Sequence, residues 1–134
     1  RFNQLDYHFQ VGRITAMARR WGVVSILTEL NSMGQVTFEM LQRQGLPVVG
    51  FTTTAQTKPP LIENMALAFE RGEWAWQADN VWTAELEAYE RTVSATTGRS
   101  SYSAPAGGHD DTVISRALML WQAQHYVSSY VDFV

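Results

Sequence analysis

From Asp6 to Trp21 apolar residues recur at helical spacing, as Ile14, Met17, Ala18 and Trp21, with Arg13, Arg19 and Arg20 on the remaining surface; the pattern predicts an amphipathic helix stopped by Gly22. The run Val23 to Thr28 is rich in β-branched residues and nearly continuous in apolarity, as in a strand covered on both faces, and Glu29 sits at its C-terminal end. Asn31 or Ser32 can cap a second helix whose face is Met33, Val36, Met40 and Leu41 and which ends at Gly45. A second buried strand is predicted over Pro47 to Thr52.

After a turn at Thr52, Thr53 and Thr54, the positions Ile62, Met65, Ala66 and Phe69 predict a third helix, with Pro59 and Pro60 in its first turn and Gly72 at its end. Trp82, Leu86, Tyr89 and Val93 share one face of a further helix over 82–93, with Glu85, Glu87, Glu90 and Arg91 pointing elsewhere. The polar stretch from Ser94 to Gly108 reads as a loop with a short strand near Tyr102. A last helix begins near His109 or Asp110 and buries Ile114, Ala117, Leu118 and Trp121. Strands alternating with helices predict an α/β layer architecture.

The chain has 134 residues, 46% of them hydrophobic, which favours one domain. With 17% charged residues and a net charge of -3 it is neither an acidic tail nor a basic arm, so contact with nucleic acid has to be local. It has no cysteine, which excludes disulfides and thiolate metal sites. No apolar run approaches the roughly 20 residues that cross a bilayer, and Arg1, Phe2, Asn3 and Gln4 lack a signal-peptide layout, so a soluble, intracellular protein is expected. Beginning on Arg1, the sequence reads as a piece of something longer.

The carboxylates placed for chemistry are those at element ends. Glu29 ends a strand, where ligand sites of open α/β sheets gather. Asp110 and Asp111 follow Gly107 and Gly108 and open a helix whose dipole favours their ionised form. Taken singly, each also fits a solvated strand end or a helix cap; His109 fits a surface loop equally well, and His8 and His125 read as structural or exposed. Ionised carboxylates are the ligands that Mg²⁺ or Mn²⁺ requires, and a pair of such ions supports phosphodiester hydrolysis without a cysteine, serine or lysine nucleophile. No G-x-S-x-G, H-E-x-x-H, G-x-G-x-x-G or P-loop pattern occurs. The His109, Asp110 doublet also invites comparison with all-helical phosphohydrolases, against which the alternating strands argue.

Four segments in order carry a resemblance to one family. Glu29, Leu30, Asn31, Ser32, Met33 and Gly34 resemble the E-x-N-x-x-G segment of the nuclease domain of phage terminase large subunits; Gly50, Phe51, Thr52 and Thr53 with Lys58 resemble its G-F-T-T then K segment. Glu85 and Leu86 leading to Tyr89 are similar to its E-L helix, and Tyr102, Ser103, Ala104, Pro105, Gly108, His109, Asp110, Asp111 and Val113 to its closing segment. The resemblance implies a ribonuclease H-like mixed sheet flanked by helices over 1–134, two divalent metals (Mg²⁺ or Mn²⁺), and endonucleolytic cutting of concatemeric double-stranded DNA. It makes Glu29, Asp110 and Asp111 the catalytic and metal-ligating residues, without choosing between the two aspartates, and His109 and Asn31 their neighbours. Lys58, the chain's only lysine, and Arg13, Arg19, Arg20 and Arg99 are the candidate DNA contacts.

In this family a first catalytic aspartate lies on a strand upstream of the matched region, and Asp6 reads as a helix cap instead, so the isolated chain is expected to bind metal weakly and cut poorly. An unpaired sheet edge, and self-association along it, is expected with the opening strands absent. The family also implies a terminase small subunit and a portal as partners in the full-length protein, no membrane, and the bacterial host cytoplasm as location. Two other readings stand beside it: a catalytically inactive prophage remnant acting as a DNA or packaging-protein interaction module, and a different ribonuclease H-like enzyme such as a junction resolvase.

Overall fold

The computed structural model describes residues 6–31 and 33–131, with side chains described up to residue 126. They fall into two units that divide between Thr53 and Thr54.

The first unit begins with α1 (Tyr7–Trp21), which Asp6 caps by accepting from the His8 amide at 2.8 Å. Gly22 ends it in the left-handed region, φ 59°, and returns its N–H to the carbonyls of Ala18 and Arg19. β1 (Ile26–Glu29) and β2 (Val48–Phe51) pair in parallel, from Ile26 opposite Val48 to Glu29 opposite Phe51, with α2 (Gly34–Arg43) as the crossover packed on both. Glu29 therefore stands at the carboxyl end of a strand, as its position in the sequence predicts.

The buried face of α1 differs from the expected one. Met17 and Trp21 are exposed, Trp21 by 71%, and the stripe on the side that packs against α2 is Val11, Thr15 and Ala18. Thr15, which hydropathy alone counts as polar, is buried there, its hydroxyl without a hydrogen-bond partner among the described residues. In α2 only Leu41 is fully buried, and Met33 and Val36 are exposed. Asn31 does not cap α2; the N-cap position is Met33, without a side-chain capping bond, and Ser32 lies outside the described residues.

The second unit holds α3 (Lys58–Glu70), α4 (Asn80–Glu87), β3 (Glu90–Val93), β4 (Ser100–Ser103) and α5 (Asp111–Val131). Its core joins Leu61, Ile62, Met65 and Ala68 of α3 to Trp82 of α4 and to Val113, Ile114, Ala117, Leu118 and Leu120 of α5. Ala66, expected inside, is exposed, because the inward face of α3 turns through Leu61 and Ala68. Trp82 is 0% exposed, with Phe69, Trp74 and Trp76 ring centroids 6.0–6.4 Å away and the Arg116 guanidinium 4.6 Å over its face.

The helix expected over 82–93 stops at Glu87, and Glu90 to Val93 form β3, antiparallel to β4. Gly98, at φ 66°, lets the chain turn back, with Ser94 N–H on the Arg99 carbonyl and Gly98 N–H on the Ser94 carbonyl. The helical spacing of Leu86, Tyr89 and Val93 is overridden by pairing of β-branched Thr92 and Val93 with a partner strand further along the chain. The short strand expected near Tyr102 is β4. Among the described residues no helix is long and apolar enough to cross a membrane.

Candidate active site

Glu29 is half-buried, and its carboxylate is oriented from its own unit: Asn31 Nδ2 donates to Glu29 Oε1 at 2.9 Å and to the Thr53 carbonyl at 3.2 Å. The amide thus ties the end of β1 to the segment that follows β2. Gly34 has no room for a side chain, since a Cβ there would run into the Glu29 carbonyl oxygen. Gly50 is less confined: a Cβ there would meet Leu30 Cδ1 at 2.6 Å, the end of a side chain that can turn aside.

In the second unit the approach to the acidic pair is a tight turn, with Gly107 at φ 80° and the Gly108 N–H on the Pro105 carbonyl at 2.8 Å. Asp110 precedes α5 and is half-buried; Asp111 opens it and is exposed, as is His109. Lys58, at the start of α3, places Nζ 2.9 Å from Asp110 Oδ2, and the two side chains are 23% and 28% exposed. Its ammonium also lies 5.7 Å from the Tyr89 ring centroid. Burial pulls the Lys58 pKa down, but the hydrogen bond it donates to Asp110 and the attraction of Tyr89 and Asp110 outweigh it, and the net shift is upward. Burial likewise pushes the Tyr89 hydroxyl up, against the opposing pull of Lys58. Lys58, Tyr89 and Asp110, read from the sequence as separate segments, therefore form one cluster.

Next to the acidic pair, Glu85 is a residue that the periodicity placed wrongly. It is 8% exposed, and its Oε2 accepts the Thr112 N–H at 2.8 Å and the Thr112 hydroxyl. Its position three residues after Trp82, on the same side of α4, is the signal the sequence carries for its burial.

The candidate DNA contacts fall in both units. Arg13, Arg19 and Arg20 are exposed on α1; Arg19 donates to the Gln44 carbonyl at 3.3 Å, and Arg20 lies 5.7 Å from the Trp21 ring centroid. Arg99 is exposed in the turn between β3 and β4. Among the described residues no group of three or more His, Cys, Asp or Glu side chains could hold a metal ion. The donor chemistry nonetheless suits a hard divalent cation, since the candidates are oxygen ligands throughout and Asp111 carries no side-chain partner among the described residues.

Against known proteins, the chain is 31% identical over 121 residues to the terminase large subunit of Thermus phage G20c, which spans 88% of this chain and 24% of that protein. The terminase large subunit of Thermus virus P23-45 matches to the same extent. Among solved structures, the large terminase nuclease of phage G20c with bound magnesium superposes with a TM-score of 0.79 at 29% identity, covering 90% of this chain and 64% of that one. This chain is a homologue of the phage terminase large subunit, over its nuclease domain. Its fold is accordingly the mixed α/β, ribonuclease H-like one that the sequence resemblance implies. The nuclease domain of Thermus phage P74-26 agrees, with a TM-score of 0.77 at 28% identity over 90% of the chain and 62% of that domain. The G20c nuclease has also been solved with cobalt and with zinc bound. No protein-family model matches the chain. The chain spans about a quarter of the length of the curated relatives it matches.

Proposed function

We propose that this chain is the nuclease portion of a phage DNA-packaging terminase, cutting concatemeric double-stranded DNA with divalent metal ions, Mg²⁺ or Mn²⁺, held by Glu29, Asp110 and Asp111. The observation that carries this reading is the superposition, over 90% of the chain, on a terminase nuclease that binds magnesium. The oxygen ligands at the end of β1 and the start of α5 are of the chemical type that such an ion takes.

When bound, paired divalent ions activate water on one side of a phosphodiester and stabilise the leaving oxygen on the other. The chain's own contribution is positional. Asn31 orients the Glu29 carboxylate, Lys58 holds one oxygen of Asp110, and the Gly107, Gly108 turn sets the direction in which α5 starts. Arg13, Arg19, Arg20 and Arg99, with Lys58, are proposed to engage DNA phosphates; affinity then falls steeply as salt rises. In the whole protein the small subunit and the portal are the proposed packaging partners, and the host cytoplasm the proposed location.

The test is Mn²⁺-dependent nicking of supercoiled plasmid by this chain and by a version extended upstream. Cutting by the extended form that Glu29→Ala abolishes supports the reading; absence of cutting by both rejects it. A second reading, a catalytically inactive module that binds DNA or packaging proteins, makes a different prediction. On that reading Glu29→Ala and Asp111→Ala leave DNA affinity unchanged with and without Mn²⁺.

A further inference from the structure

The starts of α4 and α5 solve the same problem differently. A helix N-terminus leaves amide donors without intrahelical partners, and an aspartate at the N-cap ordinarily accepts from them. Asp79 does so for α4, its Oδ1 taking the amides of Val81 and Trp82 at 3.0 and 3.2 Å. At α5 the residue in the equivalent place is Asp110, yet its side-chain hydrogen bond among the described residues goes to Lys58. The amide that Asp110 would cap, that of Thr112, is met by the carboxylate of Glu85 from α4.

We infer that Glu85 is a positioning residue for the acidic pair, supplying from α4 the cap of α5 and so leaving Asp110 and Asp111 available as ligands. A buried carboxylate persists where donors meet it, and Thr112 supplies two, its amide and its hydroxyl, at the positive end of the α5 dipole. Glu85 is itself fixed, because α4 is anchored in the core by Trp82 one turn earlier and packs on α5. The start of α5 is thereby tied to the core through the contact of Glu85 with Thr112. This rests on the proposal that Asp110 and Asp111 bind the metal.

The experiment is a Mn²⁺ titration of the full chain followed by paramagnetic broadening of the amide resonances of residues 109–113, with folding checked by circular dichroism. Relative to the unsubstituted chain, broadening is expected to need about tenfold more Mn²⁺ after Glu85→Ala, and no more than about twofold more after Glu85→Gln, whose amide oxygen still accepts from Thr112. No broadening at 109–113 in the unsubstituted chain overturns this inference, while the nuclease reading stands or falls separately on nicking by the upstream-extended form. Broadening that Glu85→Ala leaves unchanged overturns the inference alone. Equal loss in Glu85→Gln and Glu85→Ala makes the negative charge the requirement and overturns the positioning role. If Glu85→Ala does not fold, Thr112→Val carries the test: it removes the hydroxyl donor, is expected to weaken Mn²⁺ binding with the circular dichroism unchanged, and overturns the inference if it does not.

Discussion

Lys58 and Asp110, one at the first turn of α3 and the other just before α5, meet with Nζ 2.9 Å from Oδ2. A cation at a helix N-terminus stands at the unfavourable end of the dipole, and the carboxylate offsets it. Because Asp110 is also a proposed metal ligand, the pair couples the stability of the second unit to the site.

Lys58→Met is expected to lower stability by about 1–2 kcal/mol, since it leaves a half-buried carboxylate without its partner. The folded-state pKa of Lys58 is raised above 10.5, so the pair's contribution is fully present below that value and is lost as pH rises through the folded pKa. Urea unfolding at neutral pH and again above pH 10.5 checks both: the gap between the two proteins should narrow at the higher pH.

Asp79 gives the opposite sign. Its pKa is lowered, first by the Trp82 amide and then by the Arg116 guanidinium 3.0 Å from Oδ2. The stability it confers is present above the ordinary carboxylate value of 3.8 and is lost as pH falls through the lower, folded-state pKa. Asp79→Asn keeps an N-capping oxygen but not the charge. Its thermal midpoint should therefore depend less on pH below 4 than that of the unsubstituted chain; parallel curves would remove Asp79 from the account of acid unfolding.

The E-x-N-x-x-G segment was legible in the sequence as a resemblance, and the structure gives its three fixed positions physical reasons. Glu29 ends a strand, Asn31 orients it, and Gly34 makes room for its backbone. The helix caps at Asp6 and Gly22 and the prolines at the start of α3 were legible because each acts within a few residues of itself. What could not be read depends on partners distant in sequence. Helical spacing through Val93 hid a strand whose partner is β4, and it placed Glu85 on the surface although Thr112, beyond the hairpin, buries it. The Lys58, Tyr89, Asp110 cluster spans three segments that no local pattern joins.

Trp82→Ala should be the most damaging single change in the second unit. The side chain is 0% exposed and is enclosed by Phe69, Trp74, Trp76 and Arg116, so truncation removes about 3–5 kcal/mol. Its indole Nε1 has no hydrogen-bond partner among the described residues, and Trp82→Phe, which deletes that buried donor, should cost clearly less than the alanine. Equal denaturant midpoints for the two variants would show that ring packing is not what holds α4.

Gly34 and Asn31 act on the same carboxylate by different means, and their variants should separate stability from activity. A Cβ at position 34 collides with the Glu29 carbonyl oxygen, a backbone atom that can yield only by moving the end of β1. Gly34→Ala should therefore cost about 1–3 kcal/mol and displace Glu29 as well. Asn31→Ala leaves the backbone in place and removes only the bond to Glu29 Oε1 and its tether to the Thr53 carbonyl, both in an exposed setting. It should lower Mn²⁺-dependent nicking by the upstream-extended protein about 10–100-fold, as loss of a ligand-orienting contact does, with little change in the unfolding midpoint. If Asn31→Ala cuts as well as the unsubstituted protein, Glu29 does not depend on its neighbour for orientation; if Gly34→Ala is as stable, the close approach is relieved by a shift that the strand end tolerates.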